Sequence, residues 1–362
     1  MKQLLVDFDS RIPNLALMKV AAYYKARGDP VTLIRPEWKA RTNHAFMPRW
    51  YRSRDYGQLW VSCVFTWNKD EARRIFGGIP HARLGGTGFD WGKDLNDPTR
   101  VSLPPEMEWT PPDYSIYDGV HFGKYKKNDR AVGFFLRGCN RKCGFCDVWR
   151  KEGTIKPAEY WPLWAWCPDS FKLVLGLDNE MALYPDAIHD KIINDVRSSG
   201  RRLSITQGYD IRVIAKKPER AKILAENKPY DLKFREHTLY IAWDYLGIEP
   251  AVRKGLQALL DAGFKGREIT CFTIVGYETE HYRPTMADYL HRHEVLWKEF
   301  GVHPFVMVYN HANDPKLRAF ARWTNRKIFK SRNADTFGKY LQGDDAGKAT
   351  PADFDPLEAY GV

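Results

Sequence analysis

The chain has no long apolar run. None of its apolar stretches approaches the roughly 20 consecutive residues that a membrane helix needs, although the chain has 362 residues. Its start, MKQLLVDFDSR, becomes acidic too soon for a signal peptide. We therefore expect a cytoplasmic protein with no membrane partner.

Cysteine is also scarce. Six cysteines in a chain of this length are too few for a disulfide framework. Three of them fall within eight residues, whereas Cys63, Cys167 and Cys271 are scattered. This distribution indicates a reducing compartment and one clustered thiolate site.

Aromatic residues and positive charge are abundant instead. The chain contains 13 Trp, 19 Tyr and 19 Phe, and its net charge is +11. Large amphipathic side chains of this kind line cores and pockets. The charge favours an anionic partner such as nucleic acid or a phosphorylated substrate.

The N-terminal part of the sequence alternates strand-like and helix-like segments. QLLVDF is a short apolar run, Asn14 is a candidate N-cap for the helix that follows, and VTLI starts a second strand after Gly28-Asp29-Pro30. LWVSCVFTW and NKDEARRIF continue the pattern. We predict a smaller α/β domain over residues 1–110 that resembles a cut-down flavodoxin-like domain and ends in a Pro-rich linker.

Six strand-like runs follow from residue 130 onward, with helical stretches between them. They are AVGFFLRG, FKLVLGL, RLSITQG, TLYIAWD, EITCFTIVG and PFVMVYN. Parallel strands with right-handed crossovers would form a partial (β/α)6 barrel of TIM type over residues 111–312. Residues 313–362 are expected to add a helical extension, which Asp314 and Pro315 begin, and a loosely ordered tail.

The clustered cysteines directly follow the first of these runs. RGCNRKCGFCDVW contains Cys139, Cys143 and Cys146 in the spacing Cys-x3-Cys-x2-Cys. Thiolates this close can reach three corners of an iron–sulfur cubane, which leaves the fourth iron open, as a catalytic site requires. A zinc site would want a fourth ligand, and the nearest upstream histidine, His121, lies on another segment. A disulfide with one free thiol does not suit a cytoplasmic protein.

This spacing, with the aromatic Phe145 just before the last cysteine, resembles the signature of the radical S-adenosylmethionine (radical SAM) superfamily. The resemblance implies a [4Fe-4S] cluster on Cys139, Cys143 and Cys146, whose open iron is chelated by SAM. It also implies reductive cleavage of SAM to a 5′-deoxyadenosyl radical that abstracts hydrogen from a substrate, and an electron donor such as flavodoxin or ferredoxin.

The resemblance also implies roles for further residues, each of which we match separately to a motif of the family. GLDNE stands where the family has a GGE-like motif after the second strand, but it lacks the paired glycines; Asp178 is the first choice for the SAM amino group. IVGYETE, which contains Gly276, resembles the family's segment near adenine. Trp243 and Asp244 could equally face the substrate. The residues expected to bind SAM are Phe145, Asp178, Asn179, Glu180, Gln207, Asp210, Arg212 and Gly276, and for each polar one an ordinary role at a strand end is the alternative.

The N-terminal domain resembles the corresponding half of B12-binding radical SAM proteins in its strand order. Cobalamin stays open but is not favoured, because the Asp-x-His-x-x-Gly element that ligates cobalt is absent. IPNLALMKVAAYYKARGD, GGTGFD and RWTNRKIFK, together with the cysteine loop, resemble a radical SAM family of bacteria and their phages. The resemblance to that family does not identify a substrate.

Basic and aromatic residues interleave in places that could bind nucleic acid. These are RWYRSRDY at 49–56, KYKK with Arg130, and the run from Arg318 to Arg332. We favour a tRNA, DNA or nucleotide substrate. A peptide or small metabolite is the second hypothesis, and a non-catalytic, metal-stabilised nucleic-acid-binding module is the third.

Overall fold

Parallel strands alternate with helices along most of the chain, so the predicted α/β class is confirmed. The structure is a computed structural model that describes residues 1–38, 45–47, 55–93, 96–120, 129–309, 313–343 and 347. The chain divides into two units. Residues 1–132 and 147–153 form the first, and residues 133–146 and 154–362 form the second.

The first unit is built on a four-stranded parallel sheet with the strand order β2-β1-β5-β6. A separate antiparallel pair is formed by β3 and β4. The strands are β1 (Lys2–Asp7), β2 (Val31–Ile34), β3 (Glu37–Trp38), β4 (Ala45–Phe46), β5 (Tyr56–Ser62) and β6 (Ala82–Gly85). Because the sheet is parallel and buried on both faces, its central strands read as nearly continuous apolar runs.

Helices α1 (Leu15–Ala26) and α2 (Lys69–Phe76) cover opposite faces of this sheet. The unit also contains the one-turn helices α3 (Thr87–Asp90), α4 (Pro105–Glu108) and α5 (Val148–Lys151). Leu5 packs with α1, whereas Leu4 and Val6 pack with α2, as the twofold alternation of a strand requires. Asn14 caps α1 as predicted, since its side chain accepts a hydrogen bond from the Leu17 amide. The one-turn helix α4 was not expected in the Pro-rich segment; Pro105 is tolerated there because it stands in the first turn.

The second unit contains a strand in each of the six predicted runs. The strands are β7 (Arg130–Gly133), of which only Gly133 belongs to this unit, β8 (Leu173–Gly176), β9 (Arg202–Ile205), β10 (Leu239–Ala242), β11 (Ile269–Val275) and β12 (His303–Val308). The helices are α6 (Asp186–Ser198), α7 (Ile211–Lys216), α8 (Glu219–Glu226), α9 (Glu249–Asp261), α10 (Met286–Glu294), α11 (Pro315–Asn325) and α12 (Phe337–Leu341).

These strands run parallel in two groups that meet at one point. β8 pairs with β9, and β11 pairs with both β10 and β12. A single parallel bridge joins Tyr209, just after β9, to Ile241 in β10, and the Tyr209 amide donates to the Tyr240 carbonyl at 2.8 Å. At the other side, the Leu177 amide donates to the Gly133 carbonyl at 2.8 Å. The carboxyl ends of the strands therefore share one edge of this unit.

One strand is shorter than the sequence predicts. β7 ends at Gly133 rather than continuing through FFLRG, because a buried carboxylate takes the amides of Phe135 and Leu136 away from strand pairing.

The outer edge of β12 is covered by the end of α11, where the Asn325 side chain accepts from the Val306 amide at 2.7 Å and donates to its carbonyl at 2.9 Å. Among the described residues, no helix combines the length and the apolar character that crossing a lipid bilayer requires.

Candidate functional site

The cysteine loop, residues 134–146, follows β7 at the carboxyl end of the strands. Cys139, Cys143 and Cys146 are all partly exposed, and none of the chain's six thiols is in a disulfide. The backbone turns back on itself within the motif, since the Cys146 amide donates to the Cys143 carbonyl at 3.1 Å. Three thiols that form no disulfide thus share one short loop next to the strand ends.

Asp178, after β8, anchors the start of this loop. Its buried carboxylate accepts hydrogen bonds from the Phe135 amide at 3.1 Å, the Leu136 amide at 3.0 Å and the Tyr184 hydroxyl at 2.6 Å. Burial raises the pKa of Asp178 to about 6, although these donors oppose the shift. The structure therefore commits this carboxylate to positioning the loop, while its predicted contact with SAM stays a prediction.

The next two residues of GLDNE have different surroundings. The Asn179 side chain accepts from the Gly138 amide at 3.0 Å, where Gly138 has a positive φ of 95° that glycine adopts without strain. Glu180 Oε1 accepts from the amides of Ala182 and Asp210, both at 3.1 Å. Burial first, and then the charge of Asp210, raise the pKa of Glu180 to about 8. Within the described part of the chain, Glu180 Oε2 makes no hydrogen bond.

An arginine of the loop is joined to the end of β9. Arg141 Nε donates to Asp210 Oδ2 at 2.8 Å, and Arg141 Nη2 forms an ion pair with the same oxygen at 2.7 Å. Arg212 binds the same carboxylate, with Nε 2.7 Å from Oδ1 and Nη2 2.9 Å from Oδ2. Burial would raise the pKa of Asp210, but the two guanidinium groups outweigh it and lower that pKa. No local sequence pattern indicates a role for Arg141, because its partner is distant along the chain.

Electrostatics at the thiols favours a bound cation. Burial raises the pKa of Cys139 to about 11, and Glu180, Cys146 and Cys143 add to the rise. Burial, Asp244 and Cys146 likewise raise the pKa of Cys143, while Arg212 opposes them. Thiols that raise each other's pKa lose their protons when a positively charged metal group binds them. The donor set therefore fits a metal group with thiolate ligands.

The spacing of the three cysteines bears on which metal groups they could hold. Among the described residues, no three His, Cys, Asp or Glu side chains are grouped closely enough to hold one metal ion. A cubane does not need such a grouping, because each cysteine sulfur binds a different iron. This arrangement gives no support to a single zinc ion, and His121 lies outside the described residues.

Aromatic side chains from the last two strands pack beside the loop. The Phe145 and Tyr277 rings meet edge to face at 5.3 Å, and Tyr277 meets Tyr309 at 5.1 Å. A Cβ on Gly144 would lie 2.1 Å from the Tyr277 hydroxyl, so the loop approaches more closely there than a side chain would allow. Gly276 has a φ of 77°, and its amide donates to the Tyr289 hydroxyl at 2.9 Å. The structure thus brings Phe145 together with the segment after β11.

Below this edge the strands enclose an aromatic layer. Tyr240 stacks on Phe272 at 5.3 Å, and Phe272 meets Phe305 edge to face at 5.8 Å. Ala242 and Met307 pack against this layer and are only partly buried. A Cβ on Gly208 would lie 3.2 Å from both Ala242 and Phe272. The small residues Gly208 and Ala242 therefore lie next to this aromatic layer. The predicted SAM contact Gln207 is exposed beside them.

The end of β10 contributes a carboxylate to the same edge. Burial raises the pKa of Asp244 to about 6, and Arg292 and Arg212 oppose the rise. Asp244 Oδ1 is buried without a hydrogen-bond partner among the described residues. Trp243 is fully buried and donates to the Tyr245 carbonyl at 3.0 Å. Buried Arg292 ties two strand ends together through the carbonyls of Trp243 and Ile274, at 2.7 and 2.8 Å.

Two of the three basic patches read from the sequence cannot be placed. KYKK lies outside the described residues, as do residues 49–54 of RWYRSRDY. The third patch, from Arg318 to Arg332, is described and lies on α11 and the turn after it.

The chain matches no protein-family model and no curated protein.

Proposed function

We propose that the chain is a radical SAM enzyme whose [4Fe-4S] cluster is held by Cys139, Cys143 and Cys146. The observation that carries the proposal is the anchoring of one loop, which holds three cysteines outside any disulfide, to two neighbouring strand ends. Asp178 and Asn179 hold its backbone after β8, and Asp210 holds Arg141 after β9. A loop fixed in this way presents three sulfurs from a preorganised position.

The proposed fold of the second unit is a partial (β/α)6 barrel of TIM type. It is supported by the six strands in chain order and by the bridge between Tyr209 and Ile241, which links the two parallel groups. Active sites of such barrels lie at the carboxyl ends of the strands, which is where the cysteine loop begins. We propose a flavodoxin-like domain for the first unit, on its parallel strand order β2-β1-β5-β6.

Within the second unit, Glu180 is the strongest candidate for binding the SAM ammonium group. Its Oε1 is fixed by two amides, and its Oε2 is available for a cation next to Cys139. Arg212 is the candidate for the SAM carboxylate, as a guanidinium that lies beside Cys143. The cluster, when bound, supplies the electron that cleaves SAM. The aromatic layer of Tyr240, Phe272 and Phe305 excludes water from the side of the site that lies toward the amino ends of the strands.

Cobalamin is not part of the proposal. At the strand ends of the first unit, Asp9 accepts hydrogen bonds from the amides of Val64 and Phe65 at 2.6 and 3.1 Å. Asn14 donates to Ser10 and Ser62 at 2.9 and 2.8 Å. These side chains bind one another, and the histidine element that ligates cobalt is absent from the sequence.

Anaerobic reconstitution with iron and sulfide tests the proposal. We expect about four irons and four sulfides per chain, together with 5′-deoxyadenosine and methionine after reduction in the presence of SAM. Alanine at Cys139, Cys143 or Cys146 should abolish both. Cys63→Ala, which removes a thiol from the first unit, is the matched control and should change neither.

Each failure has a distinct meaning. If Cys143→Ala still produces 5′-deoxyadenosine, the site assignment is wrong. If the cluster assembles but SAM is never cleaved, the non-catalytic metal-stabilised module replaces the enzyme. The alternative of a peptide or small-metabolite substrate keeps the same catalyst, and substrate binding distinguishes it from nucleic acid.

A further inference from the structure

The segment that closes the second unit carries a strong positive charge. Residues 313–343 contain eight Lys and Arg side chains against two Asp. Both aspartates have local partners. Asp314 caps α11 by accepting from the amides of Lys316 and Leu317, at 2.8 and 3.0 Å, and Asp335 pairs with Lys339 at 2.8 Å.

The helix arranges much of this charge in a line. Arg318, Arg322 and Arg326 follow one another at four-residue steps, which places them on one face of a helix. Lys327 and Lys330 continue the line through the turn after α11, and both are exposed. We call these five residues the basic strip. Since α11 rises about 1.5 Å per residue over its 11 residues, the strip extends over several nucleotides of a nucleic-acid strand.

The far end of the basic strip is a cluster of cations that repel one another. Burial lowers the pKa of His303, at the start of β12, to about 3, and Lys327 and Lys330 both lie close enough to add to this shift. Burial and then Lys327 lower the pKa of Lys330. No carboxylate is among the groups that shift these two pKa values. His303 Nδ1 is buried without a partner among the described residues, and Lys330 Nζ lies 4.3 Å from the Trp297 ring centre.

The apolar side chains of the same segment are buried in the core of the second unit. Leu317, Phe320 and Trp323 on α11 are buried together with Phe329 and Phe337. The basic strip itself consists of charged side chains rather than apolar ones, which suits a polyanion rather than a lipid surface. A line of guanidinium and ammonium groups matches the repeated phosphates of a nucleic-acid backbone.

We propose that the basic strip binds the phosphodiester backbone of a nucleic acid, without reading its sequence. The strip begins on α11, which follows β12 from the edge where the cysteine loop lies, and runs to the opposite end of that strand. A bound strand would therefore extend from the candidate site along the outside of the second unit. That this nucleic acid is the substrate rests on the proposed function; the binding itself does not.

Fluorescence anisotropy with labelled RNA hairpins, single-stranded DNA and duplex DNA tests this inference on the full chain. The variant is Lys327→Gln with Lys330→Gln. The matched control is Lys222→Gln with Lys254→Gln, which removes the same charge from two exposed lysines of α8 and α9. We expect the strip variant to bind about tenfold more weakly and to lower the slope of log K against log salt by about 2. The control should change neither.

Several results would overturn the inference. Equal losses in both double variants would mean that only net charge matters, and no loss in either would remove the basic strip from binding. Lys327→Arg with Lys330→Arg should retain binding, and failure to do so would indicate a structural defect. Weaker binding of the strip variant to anionic vesicles alone would assign the surface to a membrane. These measurements need neither cluster nor SAM, so they are independent of the reconstitution test.

Discussion

Arg141 and Asp210 are 69 residues apart and hold each other by a hydrogen bond of 2.8 Å and an ion-pair contact of 2.7 Å to one carboxylate oxygen. The arginine lies between two of the cysteines, and the aspartate follows β9. This pair fixes the middle of the cysteine loop, whereas Asp178 and Asn179 fix its beginning. The loop is thus positioned by side chains rather than by strand pairing.

We expect Arg141→Gln and Asp210→Asn each to reduce iron incorporation several-fold under limiting iron, because either change releases the middle of the loop. The double variant should lose little more, with a coupling of about 1 kcal/mol in the free energy of unfolding. Iron analysis and urea unfolding measure the two quantities. Lys142→Gln, an exposed neighbour in the same loop, is the control. Additive losses in the double variant would contradict the pairing.

Glu180→Gln should weaken SAM binding by about tenfold, because the ammonium group, whose charge would keep Glu180 ionised despite its raised pKa, loses a charged acceptor. Gln keeps an Oε1 that can accept from the amides of Ala182 and Asp210, so the fold is expected to stay intact. Equilibrium dialysis with labelled SAM measures the effect. Glu236→Gln, at an exposed position, should bind SAM normally. Unchanged affinity in Glu180→Gln would remove this carboxylate from the site.

His293 should make the protein sensitive to acid. Burial lowers the pKa of His293 to about 4 from 6.5, and neither ring nitrogen has a partner among the described residues. Between these pH values the unfolded chain binds the proton and the folded chain does not, so stability falls as the pH falls from 6.5 to 4. The loss from this group approaches about 3 kcal/mol.

The test is His293→Phe, which places a ring between Trp323 and Phe329, now 4.6 and 4.7 Å from the imidazole. We expect a flatter acid limb in urea unfolding and no loss of stability at pH 7, since two buried polar atoms without partners are removed. Exposed His281→Gln should keep the wild-type profile. An unchanged acid limb in His293→Phe would contradict this account.

Two helical glycines should respond to alanine in opposite directions. A Cβ on Gly255, in α9, would lie 2.7 Å from the Ile211 carbonyl oxygen, whereas nothing lies within 4 Å of one on Gly338, in α12. Overpacking at Gly255 costs about 1–3 kcal/mol, more than the roughly 1 kcal/mol that helix propensity returns. Urea midpoints should fall for Gly255→Ala and rise for Gly338→Ala. The same sign for both would show that propensity alone decides.

Much of the fold was readable from local patterns. Each of the six apolar runs contains a strand, and Asn14 and Asp314 cap the helices that their positions predict. Strand ends were less predictable. FFLRG has the composition of a strand, but the carboxylate of Asp178, more than 40 residues away, binds its amides and ends β7 early. The π-helical turn Val295–Glu299 after α10 was missed as well.

The sequence by itself determined the chemical type of the site, because Cys-x3-Cys-x2-Cys places three thiols on one loop whatever fold surrounds them. It also determined the alternation of strands and helices, since that depends on side-chain periodicity along short stretches. Only the tertiary structure decided which residues hold the loop and which are left to bind a ligand. Asp178 was the first choice for SAM, yet its oxygens are committed to the loop, while Glu180 and Asp244 each keep an oxygen without a hydrogen bond among the described residues. The physical reason is that hydrogen bonds between distant segments depend on which strand ends share an edge, and no local pattern encodes that.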